Sequence, residues 1–332
     1  MADIYLSNTN NPHENLALEE YLTFNTQGEV LFLWQNDRTV VIGNHQNAWA
    51  ECDLTALSAD GGRLARRTTG GGAVYHDLGN LNFSFICDEG DFSAEKNLAV
   101  IVEALAELGV NATATGRNDL TVGDAKISGN AFLHRQGRAL HHGTLLVNSD
   151  LDALSKYLTV SRKKLEAKGV KSVRSRVANL CELGPVSVEA LKTAIINRYA
   201  RTRACAIKDL PDRAKYARRA EEMASEQYLL GENPRFSLTV DGRFAWGTVT
   251  VGINAKGERV EDVAVWTDAL DVSLAPRVEN ALKGALLSKK GLNDLALRYD
   301  EYVGDVAGLV GSRLYGDGWT GKNLTVPVST SE

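Results

Sequence analysis

The 332-residue chain is poor in cysteine, and its four cysteines lie far apart. Cys52, Cys87, Cys181 and Cys205 form no C-x-x-C pair, so the sequence offers neither a disulfide framework nor the ligand spacing of a zinc site. Such scattered cysteines are typical of reduced thiols in a cytosol. The apolar fraction of 44% and the charged fraction of 24% are those of an ordinary globular protein. We therefore expect a cytoplasmic enzyme.

An excess of positive charge and a long apolar run are also missing. The formal net charge is −5, whereas a general nucleic-acid-binding protein is normally basic. No run approaches the roughly 18 apolar residues that cross a bilayer. Residues 1–6 have neither the basic start nor the apolar core of a secretion signal. We expect neither nucleic acid nor a membrane among the partners.

The common nucleotide-binding and nucleophile motifs are absent as well. The stretch RRTTGGGAVYHDLGN, residues 66–80, is not closed by Gly-Lys-Ser/Thr and is not a G-x-G-x-x-G at a strand-to-helix junction. No G-x-S-x-G elbow occurs, and no cysteine stands beside a histidine in the sequence. The second point is weak, because catalytic partners need only meet in space. A serine or cysteine hydrolase therefore fits poorly.

The apolar pattern that is present predicts an α+β chain. In the first part of the chain, 30–34 and 39–43 read as two strands of one sheet. The full set predicted there comprises helices at 11–22, 48–58, 93–108, 151–158, 187–200 and 212–229, strands at 63–67 and 81–86, and several more strands between 110 and 148.

After Gly231-Glu232-Asn233-Pro234 the pattern starts again. It predicts strands at 236–240, 248–253 and 260–266, turns at Asp241-Gly242 and Lys256-Gly257, and helices at 275–287 and 292–314. We expect two domains, a large one at 1–230 and a small α+β one at 235–332.

The glycine-rich stretch at 66–80 is the first candidate site. Three consecutive glycines are entropically costly, so a folded chain keeps them where bare backbone is useful. Successive N–H groups can form an anion-binding nest, and Arg66 and Arg67 add charge-assisted hydrogen bonds to phosphate. A flexible hairpin tip is the alternative.

Lys126 belongs to the second candidate, which comprises Gly116-Arg117-Asn118-Asp119 and Lys126-Ile127-Ser128-Gly129. A lysine between two short strands is well placed to point at a bound anion or carboxylate, although a solvated surface lysine is the alternative. Asp119 is a candidate magnesium ligand, because Mg²⁺ on phosphates usually takes only one or two protein carboxylates.

His141 and His142 are adjacent on a predicted strand, so they point to opposite faces and cannot ligate one metal together. We expect one imidazole to be structural and the other to line a pocket. The run at 162–176 carries seven basic residues but no aromatic residues that could stack bases. A solvated face is favoured there, ahead of a surface for an acidic protein partner and ahead of nucleic acid.

Taken together and in order, these segments resemble the lipoate–protein ligase family. The resemblance covers roughly residues 10–183, and any single motif is weak while the ordered set is highly specific. The matching segments are NLALEE at 15–20, VIG at 41–43, QN at 46–47, RRTTGGGAVYHD at 66–77, GN at 79–80, GRND at 116–119, KISG at 126–129, HGT at 142–144, KG at 168–169, SVRSRV at 172–177 and NL at 179–180.

The resemblance implies a mixed-sheet catalytic domain of the kind shared with biotin–protein ligases, followed by a C-terminal accessory domain. It also implies a two-step reaction. Lipoate and Mg·ATP form lipoyl-AMP and pyrophosphate, and the lipoyl group then passes to a lysine of an acceptor domain. Acceptors in the family are 2-oxo acid dehydrogenase acyltransferase subunits and the glycine-cleavage H protein, and members of this two-domain type are commonly monomeric.

Carried over residue by residue, the resemblance makes Lys126 the catalytic residue, hydrogen-bonded to the lipoyl carboxylate and the α-phosphate. Lys126, Arg67 and His142 are implied to bind lipoate, and Asp119 or His142 is a candidate base for the acceptor lysine. The implied ATP-binding residues are Arg67, Gly72, Ala73, Val74, Tyr75, Asn80 and Lys126. An aliphatic tail needs an apolar tunnel, whose candidate wall residues are Leu16, Val41 and Val74.

Three alternatives remain at this point. An octanoyltransferase of the same fold would need a reactive pocket cysteine and no ATP. Cys181 is the nearest candidate, although a buried, inert thiol is the favoured interpretation. A biotin ligase would carry a Gly-Arg-Gly-type loop where this chain has Arg-Thr-Thr-Gly-Gly-Gly, and a non-catalytic lipoate-binding protein would not need both Arg67 and Lys126.

Overall fold

A computed structural model describes residues 2–115, 118–158, 177–231 and 236–316. Two compact units are distinguished. The first comprises Met1–Asn44, Ala48–Thr69 and Ala73–Gly231, and the second comprises Glu232–Glu332 with the short stretches His45–Asn47 and Gly70–Gly72. Gly116-Arg117, the basic run at 162–176 and the matching segments within it lie outside the described residues. No helix in the described ranges is long and apolar enough to cross a membrane.

The first unit contains two sheets. Its strands are β1 (Ala2–Leu6), β2 (Val30–Trp34), β3 (Thr39–Ile42), β4 (Arg63–Arg66), β5 (Val74–His76), β6 (Asn80–Asp88), β7 (Thr113–Thr115), β8 (Asp119–Val122), β9 (Ala125–Arg135), β10 (Arg138–Leu146) and β11 (Cys205–Ile207). The large sheet is mixed and has the order β11-β1-β2-β6-β10-β9-β8-β7. The small sheet has the order β4-β3-β5. The prediction that 30–34 and 39–43 are two strands of one sheet is therefore wrong, because β2 and β3 belong to different sheets.

The helices of the first unit are mostly short. They are α1 (Pro12–Asn25), α2 (Ala48–Glu51), α3 (Leu54–Ala59), α4 (Ala94–Glu107), α5 (Leu151–Tyr157), α6 (Leu180–Leu183), α7 (Val188–Arg201), α8 (Ala217–Ala224) and α9 (Glu226–Leu230), with 3₁₀ turns at Glu89–Asp91 and Arg213–Lys215. The predicted starts of α1 and α4 are confirmed. Asn11 accepts from the N–H of His13, and Ser93 accepts from the N–H of Lys96.

Where one long helix was predicted, capping side chains often start a second one. Asp53 caps α3 through the N–H of Ala56, so the predicted helix 48–58 is two helices. Ser225 caps α9 through the N–H of Tyr228 and divides the predicted helix 212–229. A side-chain oxygen that accepts a backbone N–H favours a new helix start over continuation of the previous helix.

The two faces of the large sheet differ in character. Leu81, Phe83 and Phe85 of β6 point to one face and join a core that includes Ile101 of α4 and Ile195 of α7. Side chains alternate along a strand, so the residues between them point to the opposite face. That second face carries Asn80, Asn82 and Ser84, and it is also buried.

The small sheet and its helices form a separate core. Val40 and Ile42 of β3 pack there with Tyr75 of β5 and Tyr157 of α5. The rings of Tyr75 and Tyr157 lie 5.5 Å apart. Val41 lies between Val40 and Ile42 and so points to the opposite side of β3.

The second unit is a three-stranded antiparallel meander with helices. It contains β12 (Leu238–Phe244), β13 (Gly247–Lys256), β14 (Arg259–Thr267), α10 (Leu274–Leu282), α11 (Lys289–Arg298) and α12 (Glu301–Tyr315). The predicted turn at Asp241-Gly242 is wrong, because β12 and β13 stay paired from Leu238 to Phe244. The predicted helix 292–314 is interrupted, because Asp300 caps α12 through the N–H of Val303.

Candidate active site

The polar face of the large sheet is the candidate site, because it buries polar side chains at its centre. Asn82 and Ser84 of β6 and His142 of β10 are 1%, 0% and 6% exposed. Ser84 and His142 are cross-strand partners. A buried polar group costs free energy unless it is hydrogen-bonded. The face is therefore held together by a hydrogen-bond chain.

The first half of this chain runs through Glu19 of α1. Trp34 Nε1 donates to Ser84 Oγ at 2.9 Å, and Ser84 Oγ donates to Glu19 Oε1 at 2.5 Å. His142 Nδ1 lies 2.9 Å from the same carboxylate oxygen. The indole can only donate, so Ser84 Oγ accepts from Trp34 and keeps its own proton to donate to Glu19. A carboxylate oxygen accepts hydrogen bonds, so Glu19 accepts from both Ser84 and His142 Nδ1.

The second half of the chain ends at Arg67. Its Nε donates to Thr69 Oγ1 at 3.0 Å, and Thr69 Oγ1 lies 2.8 Å from His142 Nε2. A guanidinium can only donate, so Thr69 Oγ1 accepts from Arg67 and is also hydrogen-bonded to His142 Nε2. Arg67 Nη1 also donates to the carbonyl of Val41 at 3.2 Å. Burial lowers the pKa of Arg67 to about 10, although the charge of Glu19 opposes this shift.

Arg66 has a different role from its neighbour. Its guanidinium donates to the carbonyls of Gly43, Asn44, Tyr228 and Leu229. These bonds hold the end of α9 against β4. The expectation that both arginines face an anion is therefore not met for Arg66, which is held by backbone oxygens.

A second buried chain reaches His76. Asn15 Nδ2 donates to the carbonyl of Gln35 at 2.9 Å and to Asn36 Oδ1 at 2.9 Å. Asn36 Nδ2 lies 3.1 Å from His76 Nδ1. Because Asn36 accepts through its oxygen, its nitrogen donates to His76. Burial, with smaller contributions from the charges of Arg67 and His142, lowers the pKa of His76 to about 3, so the ring is neutral with its proton on Nε2.

Lys126 lies on the same face. A β-bulge separates Lys126 from Gly129, which pairs with Asp119 of β8. The ammonium bends back along the strand and lies 2.6 Å from Asp119 Oδ1. A Cβ added to Gly129 would come within 3.1 Å of Lys126 Nζ, so the missing side chain makes room for the ammonium. The side chains of Lys126 and Asp119 are 29% and 23% exposed, so the pair is open to a ligand.

A row of small and polar residues crosses the sheet from this ion pair to Trp34. Gly129 N–H donates to Thr144 Oγ1 on β10, Thr144 pairs with Asn82 on β6, and Asn82 pairs with Trp34 on β2. Neighbouring strands are about 4.8 Å apart, which places Asn82 about 10 Å from Gly129. The row therefore connects the Lys126 ammonium with the buried ring of Trp34.

The residues predicted to bind the nucleotide are spread over several environments. Ala73 and Val74 are half-buried, whereas Tyr75 is buried in the small-sheet core. Asn80 is 0% exposed, and its Nδ2 donates to Asn82 Oδ1 at 3.0 Å. Gly72 is exposed, and a Cβ added there would meet nothing within 4 Å. Their role in binding ATP stays a prediction.

Comparison with known proteins shows the family to which the chain belongs. Residues 11–200 match the model of the lipoyl protein ligase A/B catalytic domain, and residues 233–308 match that of the bacterial lipoate protein ligase C-terminus. A relative named lipoate-protein ligase A from Psychrobacter cryohalolentis is 40% identical, with 90% of this chain and 91% of that protein covered. The chain belongs to the lipoate–protein ligase family.

Solved structures agree with this family. LipL1 of P. falciparum in complex with lipoate has a TM-score of 0.82 and 28% identity, covering 94% of this chain and all of that one. A lipoate-protein ligase A bound with ATP has a TM-score of 0.60 and 32% identity, covering 69% and 98%. A bi-partite lipoate protein ligase studied with its E2 lipoyl domain from Thermoplasma acidophilum has a TM-score of 0.61 and 33% identity, covering 71% and 99%.

These matches confirm the expected family, the α+β mixed-sheet fold with its accessory domain, and the expectation of a ligase enzyme. The adjacent histidines point to opposite faces, as predicted, and the pocket-lining role of one of them stays a prediction. His141 faces the apolar side, where its Nε2 lies 3.0 Å from Asn130 Oδ1 among phenylalanine rings. His142 faces the polar side.

In this lipoate–protein ligase homologue, the expectation that Cys181 is a buried thiol is wrong. Cys181 is exposed at the start of α6, where its Sγ donates to Asn148 Oδ1 at 3.4 Å. It is not a buried thiol. Buried thiols do occur at Cys52 and Cys87, and burial raises the pKa of both.

Several residues of the site went unassigned in the sequence. Glu19, Thr69 and Ser84 complete the hydrogen-bond chain, and Asn15 and Asn36 fix His76. Asn15 and Glu19 are four residues apart and therefore share one face of α1. That spacing was the available signal. It could not show what the side chains contact, because Asn15 bonds Asn36, which follows β2, and the partners of Glu19 are on β6 and β10.

Proposed function

We propose that this protein activates lipoate with ATP to lipoyl-AMP and then transfers the lipoyl group to a lysine of a lipoyl domain. The observation that supports this most is the placement of the Lys126–Asp119 ion pair at one end of a buried row. An anionic carboxylate and a triphosphate repel each other, so the site must supply positive charge where they meet. Lys126 supplies that charge, and Asp119 holds it in place.

In the first step a carboxylate oxygen of lipoate attacks the α-phosphorus of ATP, and pyrophosphate leaves. Lys126 hydrogen-bonds the carboxylate and the α-phosphate in this proposal. Gly129 keeps the path of the ammonium open. No protein nucleophile is needed for this step.

The acyl chain lies along the row of Gly129, Thr144 and Asn82, with its far end at Trp34. The distance of about 10 Å from Gly129 to Asn82 is comparable with the length of lipoate. Leu16 and Val41 are buried, and Val41 is on the side of β3 away from the small-sheet core. They remain the proposed walls, with Val74.

The hydrogen-bond chain through Glu19 fixes the shape of this pocket. His142 is bound at both ring nitrogens, by Glu19 and by Thr69, and Arg67 fixes Thr69. We assign His142 and Arg67 to the acyl pocket, where they hold its polar side.

In the second step the neutral amine of the acceptor lysine attacks the acyl carbonyl, and AMP leaves. The attacking amine must first lose a proton. Asp119 contacts Lys126 directly, whereas His142 pairs with Ala131, two residues farther along β9 than Gly129. This placement favours Asp119 over His142 as the base.

ATP is the proposed co-substrate, with Arg67, Gly72, Ala73, Val74, Tyr75, Asn80 and Lys126 as its binding residues. Among the described residues no group of three or more His, Cys, Asp or Glu side chains is placed to hold a metal ion. Asp119 can offer one carboxylate to Mg²⁺, but Lys126 already occupies one of its oxygens. A magnesium ion, which neutralises phosphate charge when it is bound, would be held mainly by the triphosphate.

The proposed acceptors are the lipoyl domains of 2-oxo acid dehydrogenase acyltransferase subunits and the glycine-cleavage H protein. The bi-partite Thermoplasma ligase described with an E2 lipoyl domain supports an acceptor of this kind. We propose a monomer that acts in the cytoplasm, where the four free cysteines stay reduced.

The test is mass spectrometry of a purified acceptor domain incubated with the protein and lipoate, with and without Mg·ATP. We expect the mass increase of one lipoyl group only when ATP is present. An octanoyltransferase would instead modify the domain from octanoyl carrier protein without ATP. A non-catalytic lipoate-binding protein would leave the acceptor unmodified in both reactions.

A further inference from the structure

Three buried polar atoms near Trp34 have no hydrogen-bond partner among the described residues. They are His76 Nε2, Asn80 Oδ1 and Asn82 Nδ2. The side chains belong to residues that are 3%, 0% and 1% exposed. The large majority of buried side-chain polar atoms in native proteins are hydrogen-bonded, so three unpaired atoms in one region need an explanation. A ligand that enters the pocket is one.

Two of these atoms are hydrogen-bond donors. Asn82 accepts from Asn80 Nδ2 through its Oδ1, so its free atom is the amide nitrogen. His76 accepts from Asn36 at Nδ1 and is neutral, so its free atom is an N–H. The end of the pocket therefore presents N–H groups and not carbonyl oxygens alone.

Both donors flank the same aromatic ring. Asn82 is the cross-strand partner of Trp34, and the His76 and Trp34 rings lie 6.0 Å apart, edge to face. Asn82 is two strands away from Gly129, over which the Lys126 ammonium lies. An acid whose carboxylate is at Lys126 thus brings the far end of its chain to these donors.

An unpaired buried donor costs about 1–3 kcal/mol when its only neighbour is an alkyl group. A sulfur atom is a weak hydrogen-bond acceptor and recovers part of that cost. Resting on the proposed function, we propose that Asn82 and His76 make the far end of the pocket select an acid with a hydrogen-bond acceptor there, such as a dithiolane, over an unsubstituted fatty acid. Asn82 and His76 are specificity-determining residues in this proposal.

The experiment compares lipoate with octanoate in Asn82→Leu and wild type. Leucine has a similar size and no donor. Acid-dependent pyrophosphate release gives kcat/KM for each acid, and calorimetric titration without ATP gives each Kd. We expect wild type to prefer lipoate, and Asn82→Leu to lower the lipoate-to-octanoate ratio of kcat/KM about tenfold, mainly through KM and Kd.

His76→Phe is the second variant, because it removes the other donor and keeps a ring against Trp34. It should shift the ratio in the same direction. Asn97→Leu is the matched control. Asn97 is a buried α4 residue on the apolar face, 3.4 Å from His141, so its replacement should leave the ratio unchanged.

A ratio within twofold of wild type in both folded pocket variants would overturn the proposal, as would an equal loss of both acids. Circular dichroism and thermal unfolding identify a variant that does not fold, in which case the other variant decides. If wild type releases no pyrophosphate with either acid, the proposed function fails. The calorimetric ratio still tests the selectivity in that case.

Discussion

At β6 both faces of the large sheet are buried, but they are built from opposite chemistry. Along β6, Leu81, Phe83 and Phe85 join the core under α4 and α7, while Asn80, Asn82 and Ser84 face the site. The apolar face gains free energy from burial. The polar face needs a hydrogen-bond partner for every group, and where partners are missing it is prepared for a ligand. Because side chains alternate along β6, one set of its residues contributes to the apolar core and the other set faces the candidate site.

Replacing Lys126 with alanine should have the largest effect, because it removes the ammonium proposed to contact the lipoate carboxylate and the α-phosphate. We expect a loss of adenylate formation of about 100- to 1,000-fold, the range seen when a charge-stabilising donor is removed. The measurement is lipoate-dependent pyrophosphate release at saturating ATP. The thermal unfolding midpoint should stay close to that of wild type, because Lys126 is partly exposed.

Lys192→Ala is the control for this change. Lys192 forms an ion pair with Glu189, 2.9 Å away, on α7, the helix that packs into the apolar core. Its loss should leave the rate within twofold, because exposed ion pairs contribute little. If Lys126→Ala keeps the wild-type rate, Lys126 is not the catalytic residue.

Phe83 and Ser84 are neighbours on β6 that point to opposite faces, so substituting each one compares the apolar face with the polar face directly. Phe83→Ala should lower the free energy of unfolding by about 3–5 kcal/mol, because it leaves a cavity in the apolar core. Ser84→Ala should lower it by about 1–3 kcal/mol and also raise KM for lipoate, because Trp34 and Glu19 lose a partner. Urea unfolding and steady-state kinetics measure both. If KM for lipoate rises in Phe83→Ala and stays unchanged in Ser84→Ala, the assignment of Phe83 to the core and Ser84 to the site is wrong.

Much of this arrangement was predictable from local patterns. The alternation over 81–86 and the capped starts of α1 and α4 are local, and each is confirmed. The breaks at Asp53, Ser225 and Asp300 were missed because apolar periodicity continues across a capping residue. The strand β1 and the edge strand β11 were missed because short strands need a partner to be recognised.

The site was predictable only in part. Lys126, His142 and Arg67 belong to ordered motifs, and their roles in binding and catalysis stay predictions. Glu19 and Asn82 are different, since spacing places Glu19 beside Asn15 on one face of α1 but shows neither what Glu19 contacts nor what Asn82 contacts. Their meaning depends on sheet register, which brings β6, β9 and β10 together across long separations in the sequence.

The pH dependence of the free energy of unfolding tests whether His141 is buried and neutral on the apolar face. Burial lowers its pKa to about 3, whereas an unfolded histidine titrates near 6.5. Its contribution to stability is complete above pH 6.5 and is lost as the pH falls, because only the unfolded chain then binds the proton. His141→Gln should reduce the slope of unfolding free energy between pH 6 and 4 by about 1.4 kcal/mol per pH unit. Urea unfolding at several pH values measures this, and an unchanged slope would contradict a buried, neutral His141.

Cys181 should show the smallest effect. It lies on neither face of the sheet but on α6, exposed and hydrogen-bonded to Asn148. A ligase that uses ATP needs no protein thiol, so Cys181→Ala should leave ATP-dependent lipoylation of an acceptor domain within twofold of wild type. Exposure makes the thiol reachable, so alkylation of wild type with iodoacetamide is an independent test, with Cys181→Ala as its control. Loss of activity in both the variant and the alkylated protein, together with ATP-independent acyl transfer, would assign the chemistry to a thioester at Cys181, and Lys126 would then no longer be the group on which the reaction depends.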